Sequence, residues 1–381
     1  MSEKKKFDFK ELAQMDIKDL FKKKAPAKVK EKKSKPMLKP VVSFDFGSES
    51  IKVVEGRYIR EQLQVTNCFS VETPLGAIED GRIVNVSLLV TALSKALNDH
   101  GVKAKDAIGC LNSTQIINRE LLIPVVAPDE METVVRYEIQ QFLPINLSDY
   151  LIQYVILGEV EVMGEKRLKL NVITFPEKMA RSYYDLLKEL GFKPYALDVS
   201  YNAISKLATY SDLLEQVTTA EGTVAFVDMG AQSIDLNIFT DENIQFTRLI
   251  KSGGAIIDEK LNQLPDMSIK SAVSLKQEAD LREIGSSNLV QRAITLSIDE
   301  MLYEHERVLQ FYRNKAVGNT IDHVYLLGGL SHLKGLENYM ENRLNTPVSK
   351  LKDISLTDVN QALTPDVLGD YANALGAMIR F

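Results

Sequence analysis

Val41-Val42-Ser43-Phe44-Asp45-Phe46-Gly47-Ser48-Glu49-Ser50-Ile51-Lys52-Val53-Val54-Glu55-Gly56 is the stretch on which the fold turns. An apolar run ends in Asp-x-Gly, a short polar segment follows, and a second alternating run closes it. That is the pattern of strand, tight turn and strand. The chain repeats it at Val224-Ala225-Phe226-Val227-Asp228-Met229-Gly230-Ala231-Gln232-Ser233-Ile234-Asp235-Leu236-Asn237-Ile238-Phe239. One Asp-x-Gly is most simply a hairpin turn; two in matched context point to a shared purpose.

The physical reading is a phosphate clamp. Gly47 and Gly230 let the backbone turn tightly and approach a ligand. Successive N–H groups in such turns, at Ser48 and Ala231, can point at one anion. Asp45 and Asp228 can hold Mg²⁺ through its water shell, because this ion prefers oxygen ligands and sheds water reluctantly. Two such hairpins facing each other would grip a nucleotide polyphosphate and its metal from both sides.

At 381 residues, with 45% hydrophobic and 26% charged residues, the chain has room for two domains with real cores. No apolar run reaches membrane-span length, and no apolar segment follows Lys4-Lys5-Lys6 to make a secretory signal. Cys68 and Cys110 alone make no disulfide framework, and His100, His305, His323 and His332 show no ligand spacing. A reducing, cytoplasmic setting is expected. Residues 1–39 hold 14 Lys and 6 acidic residues, whereas the remainder is strongly acidic, so no nucleic-acid partner is expected of the body.

Residues 7–24 have the spacing of an amphipathic helix, with Phe9, Leu12, Ala13, Ile17, Leu20 and Phe21 at helical positions among lysines. It reads equally as a helix for a membrane surface or partner and as a loose solvated arm. Residues 25–40, rich in Lys and Pro, read as a disordered linker. The rest is expected to divide into halves, 40–212 and 213–381. The first would carry a small inserted α+β subdomain over about 75–165, containing a helix from Pro128 to Leu143 and a hairpin turning at Met163-Gly164-Glu165. In the second, Gly253-Gly254 opens a helix, and a long helix spans Asn288 to Arg313. The apolar strand Val324 to Leu327 runs into Gly328-Gly329-Leu330-Ser331. Ligands on open α/β sheets bind at the carboxyl ends of strands, where paired glycines let the chain lie flat against a base or ribose.

Together these motifs resemble the actin-like ATPase superfamily, to which actin and sugar kinases belong. The resemblance implies an α/β fold of two lobes with ribonuclease H-like halves around ATP and Mg²⁺. It implies Lys52 as the lysine reaching the phosphates, and Gly328, Gly329 and Ser331 as the adenosine motif. It implies Asp198 as the acidic residue of the connecting motif, acting on water near the metal. Within the superfamily the chain resembles the type IV pilus assembly protein PilM family, related to FtsA, on three stretches. These are Asp45 to Glu55, Glu138-Ile139-Gln140-Gln141-Phe142-Leu143-Pro144 and Arg307-Val308-Leu309-Gln310-Phe311-Tyr312. That family implies a groove for the cytoplasmic N-terminal peptide of the inner-membrane protein PilN, and admits pilus motor ATPases as further partners. FtsA-like proteins hold the ribose with Ala-Glu-x-x-Lys; Ala272-Val273-Ser274-Leu275-Lys276 keeps Lys276 and replaces the Glu by Val273. The alternatives are an FtsA-like division tether and a sugar kinase, although no second acidic motif for a sugar is present. Slow hydrolysis or none is expected.

Overall fold

The structure is a computed structural model. It describes residues 39–143, 146–211, 222–240, 243–265, 268–283, 288–315, 320–354, 356–359 and 362–380. The expected amphipathic helix at 7–24 and residues 25–38 of the linker lie outside the described residues.

The first lobe opens with β1 (Val41–Phe46), β2 (Ser50–Ile59) and β3 (Gln62–Glu72). A minimal hairpin, β4 (Ile78–Glu79) and β5 (Arg82–Ile83), leads to helix α1 (Val86–Asp99) and strand β6 (Asp106–Leu111). Asn85 caps α1 by accepting from the Leu88 N–H. β7 (Ile117–Pro124), α2 (Met131–Phe142), β8 (Tyr150–Val162) and β9 (Glu165–Pro176) follow, and then α3 (Glu177–Glu189), β10 (Lys193–Val199) and α4 (Ser200–Tyr210) return to the main sheet.

The second lobe repeats the plan. β11 (Thr223–Met229), β12 (Ile234–Thr240) and β13 (Asn243–Ile250) precede α5 (Gly254–Asn262), α6 (Ile269–Glu278) and α7 (Leu289–Lys315). β14 (His323–Leu327), α8 (Leu336–Leu344) and β15 (Val348–Lys350) complete its sheet; β16 (Thr357–Val359) and α9 (Ala372–Met378) end the described chain. The sheets run β10-β6-β1-β2-β3, with β16 added in parallel at the β3 edge, and β13-β12-β11-β14-β15. Each is an antiparallel meander of three strands with two parallel strands added beside the first. Central strands buried on both faces read as continuous apolar runs, and Val41, Val42 and Phe44 are wholly buried.

Strand parity sets the layers. Val42, Phe44 and Phe46 face outward and pack with Leu89, Leu93 and Tyr183 from α1 and α3. Val41 and, on β11, Val224 and Phe226 face the other way, into a core shared by both lobes and filled by α4 and α9. Asp45 and Asp228 continue that inward parity at the ends of their strands. The outer face of the second sheet has its own core against α5, α7 and α8.

Two expected boundaries move. The insertion is not 75–165: α1 packs on the main sheet and β6 pairs with β1, so residues 75–111 belong to the first lobe proper. The separate unit is the sheet β7-β9-β8 with α2, running to Pro176, and it has a core of its own. The second half does not keep its C-terminus either. β16 pairs with β3 of the first sheet, and α9 packs on α4, where Gly376 meets the Ala203 carbonyl so closely that no Cβ fits.

Candidate functional site

A cleft of about 970 Å³ opens between the lobes above the shared core. The three glycine motifs meet there. The first hairpin brings Asp45, Gly47, Ser48 and Lys52, and the second brings Asp228, Gly230 and Ala231. Gly254 and Lys276 come from α5 and α6, and Gly328 and Gly329 follow β14.

The hairpin turns are built alike. A Cβ on Gly47 would stand 2.6 Å from the Ser50 carbonyl oxygen, and one on Gly230 2.8 Å from that of Ser233. The turn's own backbone therefore demands both glycines. Gly328 has φ +76°, and a Cβ there would run into Asp228 Oδ1.

Acidic groups dominate the floor. Asn373 Nδ2, on α9, donates to Asp228 Oδ2 at 2.8 Å and to Asp45 Oδ2 at 3.3 Å, so carboxylates from the two lobes share one amide. Burial, then the charge of Asp228, pushes Asp45 up to about 7. Burial also raises Asp228. Asp235 is pushed to about 7, by burial and then by Asp228. Asp235 Oδ2 accepts from Asn112 Nδ2 at 2.6 Å across the cleft, but Asp235 Oδ1 and Asn373 Oδ1 are buried with no hydrogen-bond partner among the described residues. Crowded carboxylates and orphaned acceptors are the donor set that suits a hydrated hard cation. Among the described residues no three His, Cys, Asp or Glu side chains form a direct ligand cluster.

Basic side chains line the other walls. Lys52 donates to Ser50 Oγ beside the first turn. Lys276 Nζ pairs with Asp258 Oδ2 at 2.6 Å and reaches the Gly254 carbonyl at 3.5 Å. At the rim, Lys251 stands 3.5 Å from Asp80 Oδ2, a second bridge between lobes, and His332 Nε2 lies 2.9 Å from Asp370.

Two expected site residues lie elsewhere. Asp198 is not a cleft residue. It pairs with Lys206 Nζ at 2.7 Å and accepts from Asn202 at 2.5 Å, both fully within the core. Burial alone would raise its pKa, but Lys206, Arg380 and these hydrogen bonds outweigh it and lower it. Burial lowers Lys206 to about 8 despite its partner. Lys206 also donates to the carbonyls of Ala377 and Ile379, so this pair anchors α9. Ser331 is buried, its N–H closing a turn on the Gly328 carbonyl at 3.0 Å. Of the connecting segment it is Ser200 that reaches the cleft. The sequence reading missed Asn373, Asn112 and Asp235 as site residues; for Asp235 the signal was present, since it holds the position of Lys52 in the repeated pattern.

The sequence profile of the type IV pilus assembly protein PilM family matches residues 43–378. Among solved structures, a PilM–PilN type IV pilus biogenesis complex superposes with a TM-score of 0.75 at 20% identity, covering 89% of this chain and 97% of that one. The ethanolamine utilization protein EutJ of Carboxydothermus hydrogenoformans superposes with a TM-score of 0.51 at 13% identity, covering 97% and 96%. The cell division protein FtsA of Buchnera aphidicola is 22% identical over 263 residues, 62% of this chain. The match spans 60% of that division protein's length.

Proposed function

The chain belongs to the type IV pilus assembly protein PilM family, and on that premise we propose that it is an ATP- and Mg²⁺-binding scaffold of pilus or related secretion assembly. The observation that carries this reading is the meeting of Gly47, Gly230 and Gly328 on one cleft between two lobes of like topology. Lys52 and the turn N–H groups would take the phosphates. Gly254, Lys276, Gly328 and Gly329 would take the nucleoside. Asp45 and Asp228 would hold Mg²⁺ through water, and the cation would neutralise polyphosphate charge.

The role is a switch more than a catalyst. Asp198, the acid expected to act on water, is committed to Lys206 in the core. Binding that favours one arrangement of the lobes is enough to couple the cleft to a partner groove. The partner fitted to that groove is the N-terminal peptide of a PilN-type protein, which would hold this chain at the inner membrane from the cytoplasmic side. No helix among the described residues is long and apolar enough to cross a membrane. Pilus motor ATPases are further candidates, and no nucleic-acid role is proposed.

Calorimetry with ATP and Mg²⁺, alone and with a PilN-type peptide, tests the reading. Saturable nucleotide binding that changes peptide affinity is expected. Absence of nucleotide binding would overturn it, and peptide affinity indifferent to nucleotide would remove the switch. The similarity to FtsA supports a second reading, a membrane-associated division or filament protein; binding of lipid vesicles without any PilN-type peptide would favour it.

A further inference from the structure

We propose that Asn373 is a positioning residue of the cation site: its amide nitrogen sets the spacing of Asp45 and Asp228 across the lobes, and its orphaned carbonyl oxygen receives a water of the cation's shell. The inference rests on the nucleotide reading above and names the device that adjusts the site.

The residue sits where the chain crosses between lobes. The segment before α9 packs on the second lobe, with Gly369 against Leu326, Leu327 and Leu351. α9 itself lies on the first lobe, pinned by Lys206 at its far end and by Gly376 on Ala203 along its side. Asn373, at the head of the helix, is 6% exposed. Its single nitrogen touches one carboxylate from each lobe, at 2.8 and 3.3 Å. A neutral donor between two carboxylates keeps them from splaying apart. It also leaves the remaining side-chain atom, Oδ1, buried and without a partner among the described residues. A buried amide oxygen without a donor is an unstable arrangement unless something supplies one. Water bound to a cation is a strong donor, and Mg²⁺ keeps most of its shell when held by carboxylates. Because α9 is fixed to the first lobe while Asp228 belongs to the second, the same contact reports the spacing of the lobes.

The test compares wild type, Asn373→Leu and Asn373→Asp. ADP binding is measured in EDTA and across a Mg²⁺ titration, and thermal unfolding is followed with and without excess Mg²⁺. Asn373→Leu keeps the volume but loses the amide. It should bind ADP in EDTA within about twofold of wild type, yet need about tenfold more Mg²⁺ for half its enhancement, the scale of one hydrogen bond to a charged group. Asn373→Asp crowds a further carboxylate into the floor. It should unfold at a lower temperature than wild type in EDTA and recover most of that loss in excess Mg²⁺. A half-saturating Mg²⁺ concentration for Asn373→Leu within twofold of wild type would overturn the proposal. So would an Asn373→Asp loss that Mg²⁺ does not restore, because that is the mark of a purely structural residue. If wild type itself fails to bind ADP in any condition, the nucleotide reading falls first and this inference with it.

Discussion

The two Asp-x-Gly hairpins share a backbone and part company at one position. In the first, β1 pairs with β2 so that Asp45 faces Lys52. In the second, β11 pairs with β12 in the same register, and Asp228 faces Asp235. The turns are interchangeable in form, each with a glycine pressed on a carbonyl three residues later. Their chemistry is complementary. One hairpin presents an acid with a base, suited to phosphate; the other presents two acids, suited to a cation. A repeated scaffold thus makes a site with two different walls, because side chains on one strand face can change without disturbing the ladder beneath.

Experiments can break this comparison at several strengths. The largest effect is expected from Asp228→Ala, which removes the acid shared by Asn373, Asp235 and the proposed cation. Affinity for ATP with Mg²⁺ should fall at least about a hundredfold, ~2.7 kcal/mol. Calorimetric affinity equal to wild type would show that the second hairpin is only a turn. Gly230→Val should act similarly but by another route, since its Cβ meets the Ser233 carbonyl; its unfolding temperature should fall too.

Lys52→Ala comes next. Loss of one charged contact to phosphate should weaken ATP about tenfold to thirtyfold in calorimetry. A similar loss for AMP would mean that Lys52 does not discriminate the polyphosphate. Smaller is the effect of Asp235→Asn. A carboxyl raised to about 7 holds its proton more tightly in the folded chain, so it lends stability at acid pH that is lost as pH climbs from about 4 to about 7. Asp235→Asn should flatten the fall of the unfolding temperature over that range, measured in EDTA; an unchanged slope would assign the fall to the other raised carboxyls, Asp45 and Asp228. The smallest change should follow Lys276→Met. Lys276 already pairs with Asp258, so the variant should weaken ATP less than about fivefold.

Much of this was readable in the chain. Apolar runs located β1 and β11, alternating runs located β2 and β12, and the repeated Asp-x-Gly put Asp45 and Asp228 at matching strand ends. Gly253-Gly254 marked the start of α5, and Val324 to Leu327 marked β14. Other features left little local trace. β15 and β16 hold three residues each, too few for a period to register. Every residue of α9 is buried, so no polar face told which lobe it covers. The spacing of the Ser200 helix could not say that Lys206 turns inward to take Asp198 away from the cleft.

By itself, then, the sequence determined the repeated hairpins, the glycines they require and the α/β class, since turn geometry and strand parity depend on neighbours a few residues apart. Only the tertiary structure decided that the C-terminal helix crosses back to the first lobe, that Asp198 is an anchor and that Asn373 stands between the acids. Those outcomes depend on contacts between residues far apart in the chain, such as Asn373 with Asp45, and no local pattern encodes which distant surfaces will close on each other.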